Sequence, residues 1–600
     1  MNRNCFTHFP MVILAVGTFV VGQPLVAEEM PPPPASGTPL SPTALAATRD
    51  GRRLFIACAT GRCLLRFDTG TGSVCQKIDL PAPASGLALS PDESQLYVTC
   101  AAAVSSICVV DTATSNISGQ LVAGHTAMAP VPNAAGTVLY VCNRFNNSVV
   151  AIDLIHRCQL WTALVTREPV AAALTPDGKQ LLIVNHLHEG RADGGVIGVV
   201  VNVLDAETGC LIKKIQLPRG SSLARGVAIS ADGRFAAVTH LIARYYLTTT
   251  DVEFGRINAN ALSILDLNRL EWIRVVYLDY AGRGAANPWS VMWTSDGRAL
   301  VVTHAGTHEI SVVEAPLAPQ KSLRVRARLG LPGNGPRAMA IVGPLVYVAN
   351  YFSDTLAMID LSQPDLEPVE FGLTAPQPPT PERQGEMWFN DATLCYQGWQ
   401  SCASCHDTDA RVDALNWDLL NDGQGNPKNA KSLLWSHRTP PVMALGVRAS
   451  AEIAVRAGLK YILFADPAEE VPAAIDAYVR SLEPQPSPRL QNGGLSAAAE
   501  RGRALFQSEA IGCARCHPGP LFTDLKSHRV GSGGYHDQGD ERFDTPALVE
   551  LWRTAPYLHD GSAATLRDVL TSRNAQNLHG KTTQLSAAEI DDLIAYLGSL

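Results

Sequence analysis

Two five-residue segments in the C-terminal third of the chain each carry two cysteines, two residues apart, followed directly by a histidine. They read CASCH at 402–406 and CARCH at 513–517. In such a segment the two thiols form thioethers with the vinyl groups of haem, and the adjacent histidine then lies on the iron axis. We therefore predict two haems c. Their attachment residues are Cys402, Cys405, Cys513 and Cys516, and their proximal iron ligands are His406 and His517.

The main alternative for these segments is a pair of zinc sites. Each motif would then need a fourth ligand, and its second cysteine would have to remain a free thiolate. Two copies in one chain, about one haem domain apart and each bracketed by helical patterns, favour haem over zinc. Two neighbouring haems would form either an electron-transfer chain or an enzyme in which one haem supplies electrons to the other.

A duplicated helical pattern surrounds the two motifs. PERQGEMWF precedes CASCH, and AAIDAYVRSL follows it at 473–482. SAAAERGRALF at 496–506 precedes CARCH, and LSAAEIDDLIAYLGSL follows it at 585–600. Ser586 and Glu589 predict a capping box at the start of that last helix. Each motif is therefore expected to lie between a short helix and a closing helix.

Proline-rich segments mark the boundaries of these two halves. APQPPTPERQG at 375–385 precedes the first half, and EPQPSPRLQNGG at 483–494 links it to the second. We predict two mainly α-helical domains of the class I cytochrome c type, at 375–485 and 486–600.

The region from residue 42 to about 372 repeats a pattern of short strands. Apolar segments alternate with Asp/Gly turns, as in TPDGKQLLIVNH at 175–186. Seven such units occur at intervals of roughly 40–65 residues, the length of a four-stranded propeller blade. The units resemble the blades of YVTN-type propellers. We predict an all-β seven-bladed propeller at 42–374, after a Pro-rich linker at 28–41.

Two sets of residues stand out within the predicted blades. Cysteines occupy the same two places in the first two blades, which predicts a cross-hairpin disulfide in each, Cys58–Cys63 and Cys100–Cys108. The pairing of the other cysteines is left open: Cys75, Cys142, Cys158, Cys210 and Cys395.

Five histidines fall in or at the start of the loop after a second strand: His186, His188, His240, His304 and His308. They are expected at one mouth of the channel, as surface histidines satisfied by neighbours, or as a metal or docking site.

The N-terminal segment has the pattern of an export signal. Arg3 precedes the apolar run MVILAVGTFVVG at 11–22, and Ala27 stands where a signal peptidase could cut. We predict a signal peptide at 1–27, a retained anchor being the alternative. No later stretch reaches about 18 uninterrupted apolar residues, so we expect a periplasmic or otherwise exported protein that is not integral to a membrane. The net charge of −8 and the absence of Lys/Arg-rich runs argue against a nucleic-acid partner.

The second half contains the segments CARCHPGPLFTDLKSHRVGSG and RFDTPALVELWRTAPYLHDGSAATLRDVL, the latter at 542–570. These segments resemble the di-haem cytochrome c peroxidase family, over residues 380–600 as a whole. The resemblance implies an oxidoreductase whose second haem takes electrons from a small cytochrome or cupredoxin. The first haem would then reduce peroxide or a related small oxidant, with the propeller as docking platform or lid and a possible protein partner at its face.

Two further functions remain open at this point. One is a non-enzymatic di-haem electron carrier, with the propeller as a docking module. The other is an enzyme that modifies a partner protein or acts on a different small molecule.

The chain departs from this family at the distal ligand of the second haem. The family commonly supplies a methionine there, but no methionine follows Met443. His579 in NLHG is our predicted ligand, with Tyr557 and His559 in TAPYLHDG as alternatives. A nitrogen or phenolate ligand would lower the reduction potential relative to methionine.

The first haem departs further. The family's histidine some sixteen residues after the motif is missing, since 407–436 contains none. His437 or Met443 could cap the iron, or the iron could be open. Glu452 is the only carboxylate where the family has its acid/base glutamate, and an exposed helix-face glutamate is the alternative.

Two more roles follow from the resemblance. Trp435 would be the electron bridge between the haems, with Trp417 as a competitor and a core role as the alternative for both. A calcium ion would lie between the halves. Its predicted ligands are Thr554, Pro556 and Asn429, with Asn426 as the alternative to Asn429, although such asparagines are often turn formers.

Overall fold

A computed structural model describes residues 37–245, 257–314, 323–418, 427–534, 536–537 and 542–600. The predicted signal peptide, residues 28–36 of the linker and Asn426 lie outside the described residues. The described residues from 37 onward belong to one compact unit, Pro34–Leu600.

Seven antiparallel sheets make up the first part of the chain, and each is built from consecutive strands. Blade one contains β1 Pro42–Ala47, β2 Arg53–Cys58, β3 Cys63–Asp68 and β4 Ser73–Asp79. Blade two contains β5 Ala84–Leu89, β6 Gln95–Cys100, β7 Ser105–Asp111 and β8 Ile117–Ala123. Blade three contains β9 Ala127–Pro132, β10 Val138–Asn143, β11 Ser148–Asp153 and β12 Cys158–Leu164.

Blade four contains β13 Pro169–Leu174, β14 Gln180–Asn185, β15 Val200–Asp205 and β16 Leu211–Gln216. Blade five contains β17 Ser221–Ser222, β18 Val227–Ile229, β19 Phe235–Ala243, β20 Asn258–Asp266 and β21 Glu271–Tyr277. Blade six contains β22 Pro288–Trp293, β23 Ala299–His304, β24 Glu309–Glu314 and β25 Arg324–Gly330. Blade seven contains β26 Pro336–Val342, β27 Leu345–Asn350, β28 Thr355–Asp360 and β29 Val369–Gly372.

The first strands of the blades line the centre, and the ring closes between blades one and seven. Strand β1 packs against both β5 and β26. The backbone N–H groups of Leu40 and Ser41 each donate to the Asp354 carboxylate at 2.8 Å. Strand β2 is buried almost throughout, whereas β4 alternates between half-buried and exposed residues, as expected for inner and outer positions of a blade. The predicted seven-bladed propeller is confirmed.

The paired cysteines of the first two blades are adjacent but remain thiols. Cys58 and Cys63 are directly opposite each other in the β2–β3 ladder. The Sγ atoms of Cys100 and Cys108 lie 3.9 Å apart, well beyond the roughly 2 Å of a disulfide bond. The cysteines of each predicted pair are therefore neighbours, but the two predicted disulfides are not formed in this structure.

Blade five differs from the others because its two central strands are longer. β19 and β20 have nine residues each, and every residue of β19 is buried. Their ends, which we call the blade-five arm (Leu241–Tyr245 and Ile257–Ala259), pack against the first cytochrome half. Ala243, Tyr245 and Ile257 share a buried cluster with Leu415 and Trp417.

The C-terminal part is helical, with two very short hairpins. Its helices are α1 Pro381–Asn390, α2 Ala403–His406, α3 Ala451–Tyr461, α4 Glu470–Ser481, α5 Ala497–Gln507, α6 Cys513–Cys516, α7 Leu566–Leu570 and α8 Ala587–Leu597. Its hairpins are β30 Asn416–Trp417 with β31 Lys428–Asn429, and β32 Ser527–His528 with β33 Phe543–Asp544. The predicted mainly helical halves are confirmed, and so is the capping box of Ser586 and Glu589.

The two halves repeat the same helix crossing. Helix α1 packs on α4, and α5 packs on α8. A Cβ at Gly385 would overlap the carbonyl oxygen of Ala474, and one at Gly502 would overlap that of Asp592. Only glycine allows the helices to approach this closely.

The halves also meet in a reciprocal way. The N–H of Asn429 in β31 donates to the carbonyl of His559 in the second half, at 2.7 Å. The N–H of Asp544 in β33 donates to the carbonyl of Ala444 in the first half, at 2.9 Å. Each hairpin thus binds the loop of the other half, as expected for a duplicated pair.

Candidate haem sites and their surroundings

Both motif histidines are oriented by a backbone carbonyl. In the first motif, Nδ1–H of His406 donates to Lys431 O at 3.0 Å. In the second, Nδ1–H of His517 donates to Phe522 O at 2.8 Å. These bonds fix the tautomer, so Nε2 of each ring is left as the nitrogen that can bind a metal. Burial lowers the pKa of both rings, which keeps them neutral as ligands must be.

The cysteines of both motifs are largely withdrawn from water, as residues that attach a haem must be. Their sulfur atoms are thiols here and stand where the thioether sulfurs would be. Burial raises the pKa of Cys402 to about 12 and that of Cys513 to about 11.

One cluster of possible metal ligands was missed by the sequence reasoning. Cys516, Asp524 and His528 bring one ligand atom each to within 4.8 Å of one another, the only such group among the described residues. Nε2–H of His528 donates to Asp524 at 2.8 Å. The cluster omits Cys513 and His517, so it does not correspond to a zinc site built on the motif.

The second motif faces another histidine. The rings of His517 and His579 have centroids 6.2 Å apart at an interplanar angle of 43°. Metal–imidazole bonds are about 2 Å long, so one metal ion between two imidazoles requires a ring separation of about 6 Å. Burial, with a smaller contribution from His517, lowers the pKa of His579 to about 4. The residues therefore fit an iron with two histidine ligands.

The alternatives to His579 have other partners. Nε2–H of His559 donates to Asp537 at 2.7 Å, and its ring stacks on Phe543 with centroids 3.8 Å apart. The hydroxyl of Tyr557 donates to Leu551 O at 2.6 Å. Both side chains are therefore engaged within the loops of the second half.

The first motif differs from the second in the rings that the described residues place near it. Among the described residues no aromatic or histidine ring pairs with His406 as His579 pairs with His517. Nε2–H of His437 donates instead to Asp476 at 2.9 Å, and Asp476 also accepts from Arg456 at 2.8 Å. Met443 lies next to Ala444, in the loop that binds the second half.

Glu452 does not have the environment of an acid/base catalyst. It lies in the first turn of α3 with its side chain 38 % exposed and paired with Arg480. Hydrogen bonds from the helix backbone and Ser450, with Arg480 adding to them, lower its pKa to about 2. The structure supports the alternative, an exposed helix-face glutamate.

A different carboxylate is buried beside the first motif. Asp413 is fully buried and accepts Nε1–H of Trp417 at 2.7 Å and the N–H of Leu415 at 3.0 Å. Burial raises its pKa to about 7. The sequence analysis missed it, although an aspartate inside the apolar stretch RVDALNW was a visible signal.

The propeller binds the first motif through the residue that follows its histidine. Asp407 is buried and accepts from Arg225 at 2.6 Å and from Arg144 and His186 at 3.0 Å each. Its φ of 51° is uncommon for a non-glycine residue. The three propeller side chains hold the backbone there, directly beside His406.

The five propeller histidines have different roles. His186 binds Asp407, and His308 lies 3.3 Å from the carboxylate of Asp391, so these two contact the haem region. His240 and His304 are buried. Nε2 of His240 hydrogen-bonds the hydroxyl of Ser263 and Nε2 of His304 that of Ser311, at 2.7 Å each, so neighbouring side chains satisfy both rings. The ring nitrogens of His188 are buried with no hydrogen-bond partner among the described residues.

A buried ion-pair network joins the two halves and the propeller. Arg411 of the first half binds Glu550 of the second at 2.7 and 2.9 Å. Arg553 pairs with Asp409 at 2.9 Å, while its carbonyl accepts from Arg167 of the propeller at 2.7 Å. The propeller therefore holds both halves.

Two further predicted roles concern the junction of the halves. Trp435 is half-buried with Arg438 over its ring, whereas Trp417 is buried against the blade-five arm. The Asn429 amide donates to Asn416 Oδ1 at 3.1 Å and Leu415 O at 3.3 Å. Thr554 and Pro556 lie in the loop before His559, whose carbonyl Asn429 binds. None of these contacts tests whether Trp435 carries electrons or whether calcium binds at Asn429, so both roles remain predictions.

Comparison with known proteins agrees with the geometry. A family model described as RoxA-like, cytochrome c-like matches residues 543–579. The hydrazine synthase subunit gamma of Kuenenia stuttgartiensis is 31% identical over 271 residues, covering 36% of this chain and 77% of that protein. The methylamine utilization protein MauG of Methylorubrum extorquens is 28% identical over 349 residues, covering 46% and 96%. The cytochrome-c peroxidase IdrP1 of Denitromonas iodatirespirans is 26% identical over 306 residues, covering 36% and 80%.

The fold and the paired motifs define a propeller joined to a cytochrome c-type oxidoreductase with covalently bound haem c. The chain belongs to the di-haem cytochrome c peroxidase superfamily, and the predicted resemblance is confirmed. It is a peroxidase-like enzyme by this kinship. Within the described ranges, no helix has the length and apolarity needed to cross a bilayer.

Proposed function

We propose that this chain is an exported oxidoreductase with two haems c, one on each motif. The second haem, at 513–517, accepts electrons from a small cytochrome or cupredoxin and passes them to the first, at 402–406. The first haem supplies the iron at which peroxide or a related small oxidant is reduced. One observation carries the proposal: a histidine ring faces the second motif, and no described ring faces the first.

The residues around the second motif fit electron transfer. His517 and His579 would hold the iron on both sides, so no position would be left for substrate. Two nitrogen ligands give a lower potential than histidine with methionine, which favours passing electrons onward. His559, bound to Asp537 and stacked on Phe543, keeps the loop beside Asn429 in place.

The residues around the first motif fit substrate reduction. Lys431 O orients His406 from one side, and the propeller fixes Asp407 immediately after it. The blade-five arm covers the adjacent cluster of Leu415 and Trp417, which keeps bulk water from this side of the site. We assign the propeller the role of a fixed wall and docking platform for the first half. We also propose that a protein partner binds the face of the propeller that the cytochrome halves leave free.

The remaining assignments rest on the sequence and the family. The N-terminal pattern at 1–27 supports export to the periplasm or an equivalent compartment. Trp435 is kept as the bridge between the haems. Calcium at Thr554, Pro556 and Asn429 is kept as a proposal, and metal analysis of chelator-treated protein tests it.

Carbon monoxide binding to the reduced holoprotein tests the central proposal. We expect one equivalent of gas per chain, bound at the first haem, followed by peroxide turnover with a reduced small cytochrome as donor. Binding of no gas would favour the non-enzymatic electron carrier instead. One equivalent of gas without peroxide turnover would point to another substrate or to a protein substrate.

The sequence identity with the hydrazine synthase subunit favours a second candidate function. The same open site would then reduce a nitrogen-containing oxidant rather than peroxide. Turnover of hydrogen peroxide and of nitric oxide, measured with the same reduced donor, separates the two. Faster oxidation of the donor by nitric oxide would support the second candidate.

A further inference from the structure

A buried tryptophan–aspartate pair lies where the first cytochrome half packs against the blade-five arm. Nε1–H of Trp417 donates to Asp413 Oδ2 at 2.7 Å. Trp417 is 6 % exposed and Asp413 is fully buried. The N–H of Leu415 holds the other carboxylate oxygen at 3.0 Å. The carboxylate is therefore fixed in position toward the indole.

The surroundings of the pair are apolar and lie next to the haem attachment. Trp417 shares its buried cluster with Leu415 and the blade-five arm, and Cys405 packs against that cluster. Burial raises the pKa of the Cys405 thiol, and the Asp413 carboxylate adds to this shift, so its charge acts on that sulfur. In the described part of the chain, no lysine, arginine or histidine forms an ion pair with Asp413. Among the described residues, the indole of Trp417 is the side chain that hydrogen-bonds the Asp413 carboxylate.

We propose that Trp417 is a redox-active residue of the first haem site and that Asp413 is the base that takes its indole proton. The proposal rests on the proposed function for its oxidant, the first haem after oxidation by peroxide. One electron leaves the indole for that haem, the Nε1–H bond breaks, and the proton moves to Asp413 Oδ2. The products are a neutral tryptophanyl radical and a neutral carboxylic acid. An electron from the second haem and return of the proton restore both groups.

Burial makes this proton transfer favourable. A carboxylate in an apolar site without a cation gains less from ionisation than one in water, and the pKa of Asp413 is raised to about 7. An ordinary aspartate, with a pKa near 4, would be a much weaker base toward the indole. A purely structural role would need only the hydrogen bond, so the test must detect the radical and the proton.

Freeze-quench electron paramagnetic resonance of the full-length holoprotein tests the pair. Peroxide is added without an electron donor, with the tryptophans deuterated on the ring to identify the signal. We expect a tryptophanyl radical in the wild type and in the control Trp161→Phe, whose indole packs against Tyr140 in the propeller. The signal should be at least tenfold smaller in Trp417→Phe. An equal yield in Trp417→Phe would overturn the assignment.

Infrared difference spectra test the proton acceptor. Oxidation should produce a protonated carboxylic acid band in the wild type that is absent in Asp413→Asn. Retention of the band in Asp413→Asn would overturn the role of the aspartate. Asp413→Asn leaves the indole in place, so it also serves if Trp417→Phe fails to fold.

Photochemical oxidation separates this inference from the proposed function. A ruthenium photo-oxidant removes one electron without any peroxide. A radical at Trp417 by this route, with none after peroxide, would support the pair and contradict the peroxide chemistry. If photo-oxidation yields no radical that depends on Trp417, the pair itself is disproved.

Discussion

The two cytochrome halves share their scaffold and differ in what surrounds it. Both cross their first and last helices at a glycine, and both orient the motif histidine through Nδ1 to a carbonyl. Each also binds the loop of the other half through its short hairpin. These common contacts are the ones that hold a haem and pair two halves.

The differences lie at the positions that face the iron and the propeller. His579 faces the second motif, while the described residues offer the first motif no such ring. Asp407 follows His406 and is bound by propeller side chains, whereas Pro518 follows His517 and has no carboxylate to offer. We infer that the duplication preserved the attachment of the cofactor and changed its exposure to ligands and to charge.

The largest effect is expected from removing the attachment residues of one half at a time. Cys402→Ala with Cys405→Ala should leave one covalent haem, and so should Cys513→Ala with Cys516→Ala. Mass spectrometry of the denatured protein counts the haems. The first variant should lose carbon monoxide binding, and the second should keep it. The reverse pattern would exchange the roles of the two halves.

Opening the second site tests the contrast directly. His579→Ala should raise carbon monoxide binding from one to two equivalents per chain. His579→Met should instead raise the potential of the second haem by a few tenths of a volt, part of the roughly 0.8 V range that axial ligands span. His559→Ala is the matched control and should still bind one equivalent. If His559→Ala gained gas binding and His579→Ala did not, His559 rather than His579 would be the distal ligand.

The next largest effect is expected from weakening the contact between the first half and the propeller. Asp407→Asn leaves Arg144, Arg225 and His186 around an uncharged side chain, and breaking such a buried ion pair costs about 3–5 kcal/mol. We expect a lower melting temperature and an altered spectrum of the first haem only. Asp409→Asn is the control, because Arg553 keeps Glu550 as a partner at 3.6 Å. A change in the second haem's spectrum would mean that Asp407 acts on the whole pair.

The sequence predicted the features that depend on local pattern. The blade repeat, the motifs, the closing helices and the capping box at Ser586 each follow from neighbouring residues, and the structure contains them. The partners of Asp407 could not be predicted, since Arg225 lies 182 positions away and only the folded ring brings it close. Its place in RVDALNW was a signal for Asp413, but the sequence could not show that the blade-five arm packs on its neighbours Leu415 and Trp417.

The smallest effect is expected from substituting Glu452. This variant tests whether a residue has a catalytic role because it occupies the family's position, even though its surroundings do not suit that role. It occupies the segment where the family has its acid/base residue, but it is ionised, partly exposed and bound to Arg480. Glu452→Gln should therefore leave peroxide turnover within about twofold of the wild type. Loss of a solvent-screened pair of this kind costs only about 0.5 kcal/mol.

Asp413→Asn is the matched comparison for this last variant, because it removes a carboxylate that is buried beside the first motif. Peroxide turnover measured with the same donor should fall much further in Asp413→Asn than in Glu452→Gln. A large loss in Glu452→Gln, with haem content unchanged, would return the acid/base role to Glu452. It would also show that α3 moves toward the first haem during turnover, since in this structure the carboxylate is held at the exposed end of that helix by Arg480.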